Sequence, residues 1–377
     1  MIVHGPFSLS SIMGKAIAYR NLEPVDPGLP RFAEVARACG LPPAPVPRKT
    51  DLPYACALAH LSRAAARLYG RPEPRALLLL GDTRMNDGSC FQNLQRATGW
   101  QGLAFICSEN LAEPASLQEP EPGILIGNRW AQLGQLPRIL QERGIGADER
   151  LLVIVDLDKT AIGARGRNDR LIDEARIEGV RVTAAELLGD AYDESAFLLA
   201  YHALNKPPFH PFTADNQDYL VFICLTIAAG LYALPEVMSG AKDGRWPSFA
   251  AFMKDVRARE AEIARLPLWA AYRPFVERFE QGDPTPFKAF RRNEFRATIK
   301  RMGCLQTPQS AEEALQGEIV ITHEVVQFIE FLQERGALIL GISDKPDEAA
   351  LPGPEDAALG LLGLHEAATH CVGESIF

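Results

Sequence analysis

The chain has 377 residues, 47% hydrophobic and 23% charged, a composition ordinary for globular proteins and a length that suits two domains, each with its own core. A net charge of −9 argues against general nucleic-acid binding, which needs a surplus of Lys and Arg on one face. The seven cysteines are scattered, with no CxxC and no metal-like spacing, and read as reduced thiols of a cytoplasmic protein.

The first residues, MIVHGPFSLSSIMGK, lack the basic start and unbroken apolar core of a signal peptide. Met1–His4 reads as a short strand and Arg31–Cys39 as a helix, followed by a Pro-rich extended connector over Leu41–Pro47. Lys49 then leads into Tyr54–Tyr69, where apolar residues recur at helical spacing. RALLLL, Arg75–Leu80, predicts a buried strand running directly into GDTRMND, with Asp82 and Asp87. These two acids suit metal binding and equally suit helix capping. A helix, a glycine turn and a strand follow over Phe91–Ile106; Gly123–Gly127 reads as another strand and Trp130–Arg143 as an amphipathic helix.

The five aliphatic residues Leu151–Val155 predict a strand buried on both faces of a parallel sheet. Asp156 and Asp158 come next, and a spacing of two aims both acids to one side of the strand's carboxyl end, where open α/β sheets bind their ligands. Thr160 and the Gly/Arg-rich Gly163–Arg167 follow. To about Ile321 the pattern is then mostly helical: Ala184–Gly189, Glu194–Leu204, Tyr219–Ala233, Phe249–Ala264, Trp269–Glu280 and Phe287–Met302. Leu220–Leu234 is apolar but shorter than the roughly 18 residues a membrane span needs, and predicts a buried helix. Lys288, Arg292 and Arg296 recur at spacing four, one stripe of a helix that reads first as a solvated face. The sheet pattern resumes with an amphipathic helix at Glu324–Glu334 and a buried strand at Ala337–Ile342 that delivers Ser343-Asp344-Lys345-Pro346. THCV, Thr369–Val372, closes the chain as a short strand.

DLDKT, GDTRMND and SDKP at three strand ends resemble the first, fourth and second motifs of the haloacid dehalogenase-like hydrolase superfamily, most of whose members are Mg²⁺-dependent phosphatases. Lys49 resembles the superfamily's third motif by position, although the usual Lys-Pro pair is absent; Lys345 and Lys15 compete for the role. The motifs run third, fourth, first, second, one cyclic shift from the superfamily order. The resemblance therefore implies a circularly permuted, Rossmann-like α/β core with helices on both faces of a parallel sheet and an inserted all-helical cap. It places the core in residues 1–165 and 322–377 and the cap in 166–321.

By the same resemblance Asp156 is the nucleophile and Asp158 the acid and base, with Ser343 and Lys49 cradling the phosphoryl group. Mg²⁺ is held by Asp156, Asp158 through its backbone carbonyl, Asp82 and Asp87. Thr160 and Asp344 are expected on the substrate side; Arg165 and Arg167, from their place just after the catalytic strand, are candidates for contacting a second acidic group of the substrate. The implied partner is a small phosphorylated molecule, with no nucleic acid and no membrane; nothing in the sequence fixes the oligomeric state. A phosphomutase or phosphotransferase of the same superfamily, or a non-catalytic phosphometabolite-binding protein, stays open at this point.

The cyclic order makes a structural demand. The strand ending at Val155 must be central, with those ending at Gly81 and Ile342 parallel to it on either side, and the strands near the two termini must lie on the Ser343 side.

Overall fold

The computed structural model describes residues 1–377, apart from the side chain of Ala191. Ten strands are present: β1 (Ile2–Phe7), β2 (Ile17–Ala18), β3 (Ala76–Gly81), β4 (Gln101–Cys107), β5 (Leu117–Glu121), β6 (Ile124–Gly127), β7 (Leu151–Asp156), β8 (Ile321–Thr322), β9 (Leu338–Ile342) and β10 (Thr369–Gly373). Seven of them form one sheet in the order β2-β9-β7-β3-β4-β6-β5. Every neighbouring pair is parallel except β5 with β6. The aliphatic runs of β3, β7 and β9 occupy the middle because a parallel strand is covered on both faces and must be apolar at nearly every position.

Alternate residues of these strands point to opposite faces, and each face has its own core. On one, Leu78, Leu80, Val153, Val155 and Ile339 pack with the segment 130–140 and with Phe328, Ile329 and Leu332 of the helix His323–Gln333. On the other, Leu77, Leu79, Leu152, Ile154 and Leu340 pack with the helices Phe32–Cys39, Leu52–Leu68 and Ser89–Thr98. The chain is thus α/β, with helices on both faces of a mostly parallel, Rossmann-like sheet.

As the motif order demands, β7 is central, with β3 parallel on one side and β9 on the other. Val155 lies opposite Leu80, and Asp156 opposite Ile342, so the polar residues after the three strands emerge at one edge. The terminal strands depart from expectation. The place beside β9 is taken by β2, only two residues long and too short to leave a periodic pattern. β1 and β10 pair with each other, antiparallel, in a separate three-stranded sheet with β8.

The chain divides into two compact units, one of residues 1–175 and 295–377, the other Arg176–Glu294. Residues 166–175 and 295–321, expected in the helical insertion, group with the sheet-bearing unit instead. The helix expected at Ala184–Gly189 starts fifteen residues earlier, running Asp169–Leu188. The helical unit is built on an aromatic core that includes Phe222, Trp246, Phe249, Phe252 and Phe275. Leu220–Leu225, the apolar stretch, lies inside that core. Among the described residues no helix is long and apolar enough to cross a membrane. Of the cationic stripe, Lys288 pairs with Asp283 at 2.8 Å and Arg296 with Asp356 at 2.6 Å.

A buried ion pair holds this unit's helices in register. Arg291 donates through Nε and Nη2 to Asp218 Oδ2 at 2.9 and 2.5 Å, while Nη1 donates to Glu294 at 2.7 Å. Asp218 Oδ1 accepts from the backbone N–H of Phe287 at 2.9 Å. Removing one partner of such a group leaves buried charge uncompensated, at a cost of about 3–5 kcal/mol. Arg291→Met should therefore lower the melting temperature strongly in a thermal scan, and adding Asp218→Asn should recover part of the loss. A double variant no more stable than Arg291→Met would show that the pair is not coupled.

Candidate functional site

The site is built from two strand ends and one loop. β7 ends on Asp156, which is buried, and each of its oxygens accepts one hydrogen bond. Lys49 Nζ donates to Oδ1 at 2.7 Å and Thr160 Oγ1 donates to Oδ2 at 3.1 Å. Lys49 also pairs with Asp87 Oδ1 at 2.5 Å, so one buried ammonium bridges two carboxylates from neighbouring strands. Lys49 sits just before the helix Leu52–Leu68, and its segment is pinned on both sides. Arg20 Nη1 donates to Pro47 O and Asn93 Nδ2 donates to Thr50 O, each at 2.9 Å.

Asp87 is turned back against β3. Its Oδ2 accepts from the backbone N–H groups of Asp82 and Thr83, at 3.0 and 2.8 Å, and from Thr83 Oγ1 at 3.2 Å. Only glycine fits at position 81, because a Cβ there would lie 2.4 Å from Asp87 Cγ. Asp82 leads the same loop, and its Oδ2 accepts from Arg165 Nε at 2.5 Å. Oxygens of Asp82, Asp87 and Asp156 all lie within 4.8 Å of one another.

Burial dominates the electrostatics. It pushes Asp156 well above the usual carboxylate range against the pull of Lys49, with Asp87 and Asp82 adding to the rise. Burial and the neighbouring Asp87 lift Asp82 to about 7 in spite of Arg165. Burial would raise Asp87 too, but Lys49 and the donors of Thr83 and Asp82 outweigh it and hold this carboxyl low. Burial also raises Asp344, opposed by Lys49 and Arg20. Lys49 itself is held well above its ordinary value, since Asp156, Asp87 and Asp344 together overcome its burial.

Of the three competing lysines, Lys49 reaches Asp156, while Lys345 Nζ stands 3.6 Å from Asp158 Oδ1 and Lys15 is exposed. Asp158 Oδ1 makes no hydrogen bond among the described residues. The residue after it, Lys159, takes a left-handed turn (φ 64°) and binds both oxygens of Asp173 at 2.8 Å. Ser343, fully buried beyond β9, accepts at Oγ from the Lys345 N–H at 3.1 Å. Its own N–H donates to Ala18 O of β2. Arg165 stays part-exposed beside Asp82.

Arg167, expected on the substrate side, is buried and fully paired. It is enclosed between Glu109 and Glu324, with all three side chains at most 3% exposed. Arg20, Asn93, Lys159 and Glu109 also take part in this architecture and went unnoticed in the sequence. Only the adjacency of Lys159 to the DxD pair offered a signal.

The donors are hard carboxylate oxygens from two strand ends, and burial, with Asp87 beside it, keeps Asp82 raised although Arg165 and Lys49 oppose it. That set fits Mg²⁺, with Asp82 and Asp156 as its carboxylate ligands. Asp87, whose oxygens are engaged by Lys49 and by the β3 loop, fits the role of holding the lysine. No family model, curated protein or solved structure matches the chain.

The raised carboxyls have a consequence for stability. Asp82 titrates at about 7 folded and at about 4 unfolded. Between those values the folded state binds the extra proton, so stability is greatest at the acidic end and is lost as pH rises through the folded value. Asp156 acts in the same direction. With divalent cations chelated, the melting temperature should fall from about pH 5 to about pH 8, and Asp82→Asn should remove part of that fall. An unchanged slope in the variant would contradict the assignment.

Proposed function

We propose that this protein is a Mg²⁺-dependent phosphomonoester hydrolase of the haloacid dehalogenase-like superfamily, with its core in cyclically shifted order. The observation that carries the reading is Asp156 at the carboxyl end of the central strand. It is held by Lys49 and Thr160, while Asp82 and Asp87 arrive from the parallel strand beside it. The placement of β3 and β9 on either side of β7, parallel to it, supports the shifted order, because it brings the ends that carry the three motifs to one edge. The helical unit Arg176–Glu294 corresponds in this reading to the cap that selects the substrate.

Phosphoryl transfer asks the protein mainly to position groups and neutralise charge. Asp156 attacks phosphorus, forming an aspartyl-phosphate as the bond to the ester oxygen breaks. Asp158, whose Oδ1 is free of hydrogen bonds, gives its proton to that leaving oxygen. It then takes a proton from water, which attacks the aspartyl-phosphate and releases Asp156 with inorganic phosphate. Lys49 holds the nucleophile's free oxygen away from solvent and offsets charge throughout; Ser343 donates its hydroxyl to a phosphoryl oxygen. Thr160 fixes the orientation of the Asp156 carboxylate. Mg²⁺, when bound, screens the repulsion between phosphate and acids and aligns the phosphoryl oxygens.

A panel of phosphomonoesters with Mg²⁺ tests the reading. Asp156→Asn should lower kcat by roughly 10³-fold or more without lowering the melting temperature, because it relieves a crowded acid cluster. A variant that keeps a tenth of the wild-type rate would remove Asp156 from the nucleophile's role. Mg²⁺ at about 100 times its Kd should add about 2.7 kcal/mol of stability, and Asp82→Asn should abolish that gain. A gain that survives in the variant would move the cation away from Asp82.

A further inference from the structure

Arg165 uses only one of its donors. Nε binds Asp82 Oδ2, and among the described residues the two Nη groups make no hydrogen bond. Its side chain is 32% exposed, whereas its backbone is fixed from two directions. The N–H of Glu109 donates to Arg165 O at 2.9 Å, and Trp130 Nε1 donates to the same oxygen at 3.3 Å. Gly166, at φ 77°, lies so close to Glu109 that a Cβ would stand 2.0 Å from the Glu109 carbonyl.

The next residue closes the clamp. Arg167 donates to Glu109 through Nε and Nη2, at 2.7 and 2.8 Å, and to Glu324 through Nη1 and Nη2, both at 2.9 Å. Its guanidinium therefore joins the segment after β4 to the helix His323–Gln333. Glu324 Oε1 accepts in addition from the Glu374 N–H at 2.9 Å, which ties in the segment after β10. A planar fork with five donors can serve two buried carboxylates at once; an ammonium cannot reproduce that geometry.

We propose that Arg167 is a positioning residue: through Glu109 it fixes the backbone of Arg165 so that the unused Nη donors face an oxyanion bound beside Asp82. The inference rests on the phosphatase reading and goes beyond it, since it assigns to a buried triad the task of fixing an anion contact it does not touch. The anion class is a phosphate monoester or inorganic phosphate, which two Nη donors on one guanidinium suit.

A double-mutant cycle on inorganic phosphate affinity, measured by titration calorimetry on the full chain with Mg²⁺ present, tests it. Arg165→Ala should weaken binding roughly tenfold, the loss of one charge-assisted contact. Arg167→Lys should weaken it nearly as much in the wild-type background, and by less than about twofold in the Arg165→Ala background, because coupled residues are non-additive. Equal losses in both backgrounds, or no loss in either, would overturn the proposal. Should Arg167→Lys fail to fold, Glu109→Gln weakens only the arm that holds residue 165 and carries the same expectation. A wild-type protein that binds no phosphate would instead overturn the functional reading, so the two failures are distinguishable.

Discussion

One ammonium group, Lys49 Nζ, stands between Asp156 and Asp87, and much of this sheet edge is arranged to keep it there. A buried carboxylate without a partner costs several kcal/mol, and two of them converge here because β3 and β7 run parallel in register. The lysine cannot reach them unless the segment before the helix Leu52–Leu68 is fixed, which is the work of Arg20 and Asn93 on the carbonyls of residues 47 and 50. Asp87 cannot turn toward it unless position 81 is glycine. Three segments far apart in sequence are thus committed to one another by a single charge.

The loop after β7 has a comparable constraint from the opposite direction. Thr322 donates through its N–H to Ala161 O at 2.9 Å and through Oγ1 to Thr160 O at 2.6 Å. The Gly163 N–H donates to Val320 O at 2.9 Å, and Asn168 bonds to the backbone of residues 315, 318 and 320. The small sheet formed by β1, β10 and β8 is therefore more than an appendage. Its β8 edge is the wall against which the loop carrying Asp158 and Thr160 is set, and Thr160 passes that constraint on to Asp156.

What the sequence disclosed follows from what each element has to bury. β3, β7 and β9 are covered on both faces, so their composition alone marks them, and the acids or Ser at their ends mark the edge at which they meet. β2 leaves no pattern in two residues, and β5 is polar because it lies at the sheet's edge. The helix 169–188 is charged along its first turns, which hid its start. Lys49 was legible only through the resemblance, by its place before a helix and a strand, with Lys345 and Lys15 as competitors. Arg20 and Asn93 were not, because their partners are backbone carbonyls that no side-chain pattern records. Arg165 and Arg167 look alike in sequence and have opposite fates, one half-used beside an acid and the other saturated between two. Only the fold distinguishes them.

The antiparallel ladder of β1 with β10 also bears on the order in which the protein can assemble as it leaves the ribosome. β3, β4, β6 and β7 are complete by residue 156 and can form the middle of the sheet while the helical unit is still being made. β9 closes the other flank of β7 some 180 residues later, and with it β2 acquires its only neighbour in the sheet. Residues 2–7 precede their partner by some 360 residues and find it only when residues 369–373 emerge. Until then that partner is missing, and an unpaired strand is the kind of segment that invites mispairing between nascent chains. Gly5 and Pro6 within that strand, which weaken its capacity to add to a foreign sheet, fit a segment that must wait.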